Sequence, residues 1–349
     1  MEHIKNIEIK NFKSIRHQKI EDCRRVNVFI GYPNVGKSNI LEALGLFGVI
    51  LSKNQYFKFN EICRVKHFSE LYFNRDIRDA ARVTLNDKKE VELIIDDSNE
   101  LQVRINNVTI AKENRNANNT FSVSVNSRDF ELRMLNQSSI SSNDSQEIRK
   151  YEFHKNILIN SRRPRALAIP NGNNLLEVLL GNSELRKEVV AIFKEYGLKL
   201  NLDTVDESIK FIKELDDQSI VTIPYHQVAD TLQRLIFYKA AVLSNRESIL
   251  LFEEPEAHMF PPYISKFTSD IILDEKDNQF FVATHSPFVI NDLMEELKND
   301  ELSIYVVGYK KDVGETIIRK LTGEELHEIY QYGIDIFYNL ENYLMHEQQ

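Results

Sequence analysis

The sequence predicts an α/β fold built around a parallel sheet, and three observations support this prediction. A glycine-rich segment, GYPNVGKS at residues 31–38, separates a short apolar run from an amphipathic run. Two later apolar runs, ILLF at 249–252 and FFVA at 280–283, each end in polar residues and lead towards a helical pattern. Strand, polar tip and helix therefore alternate along the chain, as they do in α/β proteins with parallel strands.

Composition narrows the class of protein before any motif is considered. The chain has 349 residues, a net charge of -9 and 28% charged residues, a balance that does not indicate a nucleic-acid binder. No apolar run approaches the ~20 residues of a membrane helix, and the N-terminal segment lacks the apolar stretch of a signal peptide. Cys23 and Cys63 stand far apart and match no metal-site spacing, which predicts free thiols, a cytoplasmic location and no membrane partner.

The first half of the chain combines a strand–loop–helix unit with a β region. Residues 3–12 alternate polar and apolar, which predicts a strand, and RRVNVFIG predicts a buried strand that ends at the glycine-rich loop. The helix that follows the loop presents Leu41, Leu44 and Phe47 on one face. Four later segments, RVTLND, VELIID, LQVRINNVTI and TFSVSVN, are separated by turn residues and predict an antiparallel sheet.

The second half is predicted to return to the α/β core after a helical stretch. NLLEVLLGNSELRKEVVAIFKEYG and VDESIKFIKEL, which lie within residues 173–215, both favour helices, and a further helix is expected to start at Asp230. LSIYVVGYKK and ETIIRKL predict a hairpin, and GIDIFYNLENYL predicts a terminal helix. Because the predicted β region and helices interrupt one α/β core, we expect a single head over residues 1–349. Its parts would be a first lobe (1–165), a helical insert (166–220) and a second lobe (221–349).

The segment GYPNVGKS has the spacing of a phosphate-binding loop between a strand and a helix. Glycines allow its backbone amides to turn inward into an anion-binding nest, and the helix start adds its positive dipole end. A lysine after the second glycine reaches the β- and γ-phosphates, and the next hydroxyl ligates Mg²⁺. A chance match is the alternative, but the flanking strand and helix argue against it. The expected nucleotide contacts are Gly31, Asn34, Val35, Gly36, Lys37, Ser38 and Asn39.

A pair of carboxylates follows the apolar run ILLF. In a parallel sheet, ligands bind beyond the carboxyl ends of the strands, which is where the phosphate loop also lies. We therefore expect Glu253, together with Ser38, to hold Mg²⁺, with water between Glu253 and the ion. Glu254 is expected to orient or deprotonate the attacking water. An acidic surface loop is the alternative.

Thr284 and His285 end the next apolar strand, which predicts that they lie near the same edge. A neutral imidazole there can sense the γ-phosphate or position the attacking water. The alternative is a histidine with a purely structural role. The predicted catalytic residues are thus Lys37, Glu254 and His285.

With these residues identified, the chain resembles the ABC-type ATPases of the SMC, RecF and OLD (overcoming lysogenization defect) group. IEIKNFKSI is similar to that group's first strand and turn, GYPNVGKSNILEAL to its Walker A segment, LLFEEPEAHMFPP to its Walker B segment, and ATHSPFVI to its histidine switch. In the Walker B segment, Glu253 replaces the first aspartate. The resemblance implies an ABC-ATPase head: a P-loop NTPase core with an antiparallel β subdomain and a short helical insert.

The same resemblance implies ATP and Mg²⁺ as cofactors and a homodimer that sandwiches two ATP molecules. In such a dimer, a signature helix reading Ser-x-Gly-x contacts the ATP held by the other subunit. The matching stretch here, VADTLQR at 228–234, has Ala229 in place of the serine and Thr231 in place of the glycine. Thr231, Gln233 and Arg234 are therefore expected to provide an altered contact to nucleotide.

The resemblance also bears on partners. OLD proteins usually add a Toprim nuclease, but the segment after His285 is too short for one, so we expect an effector (a nuclease or toxin) on another chain. DNA is a possible partner, with Arg162, Arg163 and Arg165 as the best basic cluster and Arg75, Arg78 and Arg82 as a looser set. The function predicted is a slow switch ATPase in DNA repair or anti-phage defence. The alternative is a nucleotide-gated binding module with negligible turnover.

Overall fold

A computed structural model describes residues 2–50, 56–58, 62–97, 100–106, 108–113, 131–134, 148–155 and 166–345. The strands of this described part, in chain order, are β1 (Ile7–Phe12), β2 (Ile15–Ile20), β3 (Val26–Ile30), β4 (Tyr56–Lys58), β5 (Ala81–Leu85), β6 (Lys89–Ile95), β7 (Leu101–Ile105), β8 (Val108–Glu113), β9 (Glu131–Met134), β10 (Ile148–Tyr151), β11 (Leu198–Asp203), β12 (Ser208–Glu214), β13 (Ile220–Pro224), β14 (Ile249–Glu253), β15 (Gln279–Ala283), β16 (Leu302–Lys310) and β17 (Glu315–Lys320). The helices are α1 (Lys37–Ile50), α2 (Leu175–Gly181), α3 (Ser183–Lys194), α4 (Asp230–Ser244), α5 (Pro261–Ile272), α6 (Pro287–Glu296), α7 (Gly323–Tyr332) and α8 (Leu340–Met345).

The central sheet has the strand order β10-β14-β15-β3-β16-β17 within the described residues. The pairs from β10 to β16 are parallel, and only β17 runs antiparallel to its neighbour. The carboxyl ends of β3, β14 and β15 therefore meet at one edge, as the sequence predicts. This edge carries the glycine-rich loop, the paired glutamates and His285.

Alternating side chains of the central sheet pack into two separate cores. On β3, Val26, Val28 and Ile30 face one core with α4, α5 and α6, whereas Phe29 faces the other core with α1. Successive residues of a strand point to opposite faces, so strands buried on both sides consist of nearly continuous apolar residues. This explains why β3 and β15 are buried along their whole length.

The predicted antiparallel β region forms a second sheet with the order β2-β1-β5-β6-β7-β8-β9-β4 within the described residues. It covers the α1 face of the central sheet, where Leu41, Leu44 and Phe47 are buried as expected. The first three of the four predicted segments correspond to β5, β6, β7 and β8. The fourth, TFSVSVN at 120–126, lies outside the described residues.

The insert between the two lobes departs from the all-helical prediction. Its first part is helical, in α2 and α3, but β11, β12 and β13 then form a three-stranded antiparallel sheet. The predicted helix over VDESIKFIKEL is wrong, because most of that segment is β12. Ile209 and Phe211 are buried at alternate positions, and the Phe211 ring stacks on Phe193 of α3 with a centroid distance of 3.9 Å.

Helix α4 begins at Asp230, and β16 and β17 form the hairpin that the sequence predicts. The terminal helix predicted over GIDIFYNLENYL (333–344) is only partly confirmed, because Gly333 ends α7 in a left-handed conformation, residues 336–338 form a 3₁₀ turn, and α8 covers only Leu340–Met345. Cys23 and Cys63 are buried free thiols, as expected. Among the helices of the described residues, none combines the length and apolar composition needed to cross a bilayer.

Candidate functional site

The glycine-rich loop connects β3 to α1 in a conformation that requires glycine at two places. Gly36 has φ +105°, and a Cβ there would lie 2.3 Å from Thr316 Oγ1. A Cβ on Gly31 would lie 2.2 Å from the carbonyl oxygen of Val307 on β16. Asn34 also adopts a left-handed conformation, with φ +64°. The loop is thus tightly curved and packed against the β16–β17 hairpin.

Side chains from distant segments support this loop. They belong to no local motif, so the sequence alone does not predict them. Thr316 Oγ1 donates to Val35 O at 2.8 Å, and the hydroxyls of Thr316 and Ser14 lie 2.7 Å apart. Asn39 Nδ2 donates to Ser14 Oγ at 2.6 Å, and the Asn39 backbone N–H bonds Gly36 O at 3.0 Å. Asn39 therefore helps to hold the loop through its Nδ2 and its backbone N–H, and its expected contact with nucleotide stays a prediction.

Lys37 lies at the centre of the site and is only 5% exposed. Its Nζ donates to Gly31 O at 3.0 Å and to Tyr32 O at 2.9 Å, so the ammonium is held over the loop. Burial lowers the pKa of Lys37 to about 8, although the charges of Glu254, Glu253 and Glu256 oppose this shift. The Lys37 ammonium and the carboxylates after β14 are therefore close enough for their charges to interact.

Because the pKa of Lys37 is lowered to about 8, we expect nucleotide binding at mildly alkaline pH to be accompanied by protonation of Lys37. Phosphate charges favour the ammonium form, so bound nucleotide should raise the Lys37 pKa from its value of about 8. We expect affinity to fall as pH rises from about 8 to 9, with uptake approaching one proton per site, and almost no uptake near pH 6.5. Calorimetry in buffers of different ionisation enthalpy measures this uptake.

The control for this prediction is Lys37→Arg, whose guanidinium does not titrate in this range. Proton uptake near pH 9 that persists in this variant would assign the effect to another group.

Glu253 ends β14 with its carboxylate buried between cations and the loop. The Ser38 hydroxyl hydrogen-bonds to it, Arg64 Nη2 lies 2.6 Å from Oε2, and Lys150 Nζ lies 3.6 Å from the same oxygen. Burial raises the pKa of Glu253, but the Lys150 charge, the Ser38 hydrogen bond and Arg64 together hold it below the usual value. The carboxylate is therefore ionised at neutral pH.

Arg64 and Lys150 are functional-site residues that the sequence alone does not predict. Lys150 is 6% exposed on β10, next to β14 in the sheet, whereas the Arg64 side chain is 57% exposed. Neither residue belongs to a recognisable motif: Lys150 reaches Glu253 through the pairing of β10 with β14, and Arg64 reaches it from a loop.

A hydroxyl and a carboxylate in contact are suitable ligands for Mg²⁺, which prefers oxygen donors and is usually held by few protein groups. Ser38 and Glu253 provide this pair, and their hydrogen bond places them within reach of one ion. The described residues contain no group of three or more histidines, cysteines or carboxylates suited to a metal. The donor set therefore fits an ion that also takes water and phosphate oxygens.

Glu254 and His285 lie beside Lys37 at the same sheet edge. Glu254 has φ +43°, and its backbone N–H donates to Ala283 O at 2.8 Å, which ties the end of β14 to β15. His285 Nε2 lies 3.5 Å from Glu254 Oε1. Burial and the Lys37 charge lower the pKa of His285, opposed by Glu254. The imidazole is therefore neutral at pH 7 and faces an exposed carboxylate.

The signature-like helix α4 starts next to the turn after β14. Thr231 Oγ1 donates to His258 O at 2.9 Å. Arg234 Nε donates to Asp230 Oδ2 at 3.0 Å, and its guanidinium lies over the Phe153 ring, 4.6 Å from the centroid. Ala229 offers no side-chain cap to the helix. Thr231 and Arg234 thus lie near the helix start with their polar groups engaged within the chain.

Gln233 does not occupy the position expected for a nucleotide contact. Its side chain has no exposed surface, and its Nε2 donates to Val228 O at 2.6 Å. This placement corrects the expectation, because the Gln233 side chain does not reach the surface: its Nε2 closes the turn before α4, and its Oε1 is buried without a hydrogen-bond partner among the described residues.

Two clusters of arginines are the candidates for contact with DNA. Arg162, Arg163 and Arg165 lie outside the described residues. In the looser set, Arg82 pairs with Glu92 at 2.6 Å, Arg78 with Asp76 at 2.5 Å and Arg75 with Glu70 at 3.6 Å. Because each arginine already faces a carboxylate, this set does not form an unopposed basic surface.

Residues 26–291 match the family described as "AAA domain, putative AbiEii toxin, Type IV TA system". This stretch runs from β3 through β14 and β15 into α6, and so includes every motif of the site.

Two curated proteins and a solved structure are also similar to this chain. Over 71 residues, the chain is 35% identical to the DNA replication and repair protein RecF of Thermoanaerobacter sp. (strain X514), covering 20% of this chain and 18% of RecF. It is 46% identical over 41 residues to an ATP/GTP phosphatase of Helicobacter pylori (strain ATCC 700392 / 26695), covering 12% and 11% of the two chains. The chain thus matches less than a fifth of either relative's length. A crystal structure of an Smc head bound to the C-terminal winged-helix domain of ScpA superposes with a TM-score of 0.55 at 15% identity, covering 94% of this chain and 100% of that one.

Proposed function

The chain belongs to this AAA-domain family, with the fold of an ABC-type ATPase head of the SMC and RecF group, and we propose that it binds and slowly hydrolyses ATP. One observation carries the proposal. The loop that follows β3 and the carboxylates that follow β14 are far apart in sequence, yet Ser38 hydrogen-bonds to Glu253 and the charges of Glu253 and Glu254 act on Lys37. A cation, a hydroxyl and carboxylates thus converge where inward amides can hold phosphates.

In the proposed reaction, water attacks the γ-phosphate in line with the leaving oxygen. Loop amides and Lys37 hold the β- and γ-phosphates, since the ammonium can exchange its carbonyl partners for phosphate oxygens. Glu254 orients the attacking water and accepts its proton, and neutral His285 helps to place that water. Mg²⁺, held by Ser38 and Glu253, would neutralise charge on the phosphate oxygens.

We further propose that ATP joins two copies of the chain face to face. The start of α4 then approaches the nucleotide held by the other copy, and a helix start attracts anions even without a serine hydroxyl. Thr231 and Arg234 are the side chains that remain near this helix start. The resulting change of shape would pass to an effector on another chain, such as a nuclease or toxin. The family description names a putative toxin of a Type IV TA system, which supports a role in such a system, and the name of RecF supports DNA repair as the alternative.

A nucleotide-gated binding module without turnover is the second candidate, and two observations favour it. Ala229 lacks the hydroxyl expected at the signature position, and Gln233 is fully buried. Either change would weaken a contact made across a dimer. The ionised carboxylate of Glu253 and the exposed Glu254 beside His285 favour the enzyme instead.

Phosphate release at increasing protein concentration separates the two candidates. If ATP is hydrolysed in a dimer, release per protein molecule should rise with protein concentration and then level off, and chelation of Mg²⁺ should abolish it. A module should bind nucleotide in a filter or calorimetric assay but release no phosphate at any concentration. If neither binding nor release is detected, the proposed function is wrong.

A further inference from the structure

The turn after β14 contains Glu256, a partly buried glutamate that belongs neither to the predicted site residues nor to the proposed reaction. Glu256 Oε1 accepts a hydrogen bond from Thr284 Oγ1 at 2.6 Å and another from the His285 backbone N–H at 2.9 Å. Thr284 has no exposed surface, and its Oγ1 accepts from the Ser286 N–H at 2.9 Å. One carboxylate oxygen therefore fixes the backbone on both sides of His285.

The surroundings of the Glu256 carboxylate disfavour its charged form. Its other oxygen, Oε2, is buried and has no hydrogen-bond partner among the described residues. Burial and the charge of Glu254 raise the pKa of Glu256, while Thr284 and the His285 N–H oppose that rise. A buried polar atom without a partner costs free energy, so the stability of the fold alone does not favour a glutamate here.

The turn that carries Glu256 also contacts the signature-like helix. Its backbone is closed by hydrogen bonds from Ala257 N to Glu254 O at 3.0 Å and from Met259 N to Glu256 O at 2.9 Å. His258 has φ +59°, and its carbonyl accepts from Thr231 Oγ1. Hydrogen bonds and the covalent bonds of the turn thus connect the start of α4 to His285.

We propose that Glu256 is a positioning residue that sets the backbone of His285 and thereby joins the signature-like helix to the imidazole beside Glu254. The proposal rests on the proposed ATPase function for its consequence in turnover. Glu256 does not touch the reacting atoms; it acts through Thr284 and His285. The path gives α4, which would contact the other copy's nucleotide, a direct connection to the residue that faces Glu254.

Steady-state kinetics of Glu256→Ala and Glu256→Gln test the proposal. The alanine variant removes both bonds, so we expect kcat to fall by about 10- to 100-fold, because small displacements of an active-site group have effects of that size. Its affinity for a non-hydrolysable ATP analogue should stay close to that of the wild type. The glutamine variant keeps a carbonyl oxygen that can accept both bonds, so it should restore most of kcat. Glu275→Ala, at an exposed glutamate outside the site, is the control.

A double-mutant cycle with Thr284→Val distinguishes a shared path from separate structural damage. If Glu256 acts through Thr284, the effects of the two substitutions on kcat should be far less than additive. Additive losses, or an unchanged kcat in Glu256→Ala while the wild type hydrolyses ATP, would overturn the inference and leave the proposed function intact.

A second readout does not depend on hydrolysis. In protein labelled with ¹⁵N-histidine, the His285 imidazole signals, assigned with His285→Gln, should shift in Glu256→Ala but not in Glu256→Gln or Glu275→Ala. If His285 is unmoved in the alanine variant, Glu256 does not position it. If the signals shift but the wild type releases no phosphate, the positioning role stands and the ATPase proposal fails.

Discussion

Replacing Glu254 with glutamine is expected to lower phosphate release by about 100- to 10,000-fold, the range of a lost general base, while nucleotide binding is retained. Glu254 sits at the end of β14 with half of its side chain exposed and with His285 Nε2 at 3.5 Å from its Oε1. Glutamine keeps the shape but cannot accept the proton from the attacking water. Steady-state phosphate release and the affinity for nucleotide measure the two effects separately.

The same variant should trap the ATP-bound state, so its size in solution should increase when ATP is added. Glu247 provides a matched control, since it is an exposed glutamate with a similar positive φ of 50°. Glu247→Gln should release phosphate at the wild-type rate. Full activity in Glu254→Gln would remove Glu254 from the proposed reaction, and an unchanged size with bound ATP would argue against the proposed dimer.

The parts of the site that the sequence predicted are those with local signals. A glycine-rich loop between a strand and a helix can be recognised from neighbouring residues, and so can an apolar strand that ends in Glu253 and Glu254. Because parallel strands bring their carboxyl ends to one edge, the meeting of these segments follows from topology. The structure brings Lys37 and Ser38 together with both glutamates, as this reasoning expects.

The parts that the sequence did not predict depend on contacts between distant segments. Ser14 and Thr316 support the phosphate loop from positions 302 residues apart, and Lys150 reaches Glu253 only through the pairing of β10 with β14. Gln233 is expected to contact nucleotide because it belongs to the signature-like stretch, but packing turns its amide towards Val228 O. Such orientations have no signature in the linear pattern of residue types.

The error over β12 has a different cause. SIKFIKE is short and rich in charged residues, so its pattern is ambiguous between a helical face and a strand with period two. In the folded protein, Ile209 and Phe211 are buried at alternate positions of a strand, and the Phe211 ring stacks on Phe193 of α3. Tertiary contacts thus override a weak local preference.

Replacing Lys37 with methionine is expected to weaken ATP binding by about 10- to 100-fold, the equivalent of losing charged hydrogen bonds worth about 1.5 to 3 kcal/mol. The Nζ atom bonds Gly31 O and Tyr32 O and is the buried cation of the loop, so a side chain of similar length without charge removes the contact to the phosphates. Titration with a fluorescent ATP analogue measures the affinity. Lys88→Met, at a lysine whose side chain is 72% exposed, is the control.

The same substitution should affect the stability of the nucleotide-free protein in the opposite direction, with a dependence on pH. Burial lowers the Lys37 pKa to about 8 from its ordinary 10.5, so the folded state binds the proton less tightly than the unfolded state. The stability associated with Lys37 is therefore present above about pH 10.5 and is lost as pH falls through about 8. As pH falls over that interval, the free energy of unfolding of Lys37→Met should therefore rise relative to that of the wild type by roughly 1 to 3 kcal/mol. Urea unfolding at several pH values measures this difference, and a difference that does not vary with pH would mean that Lys37 is not held as a costly buried cation ready for phosphate.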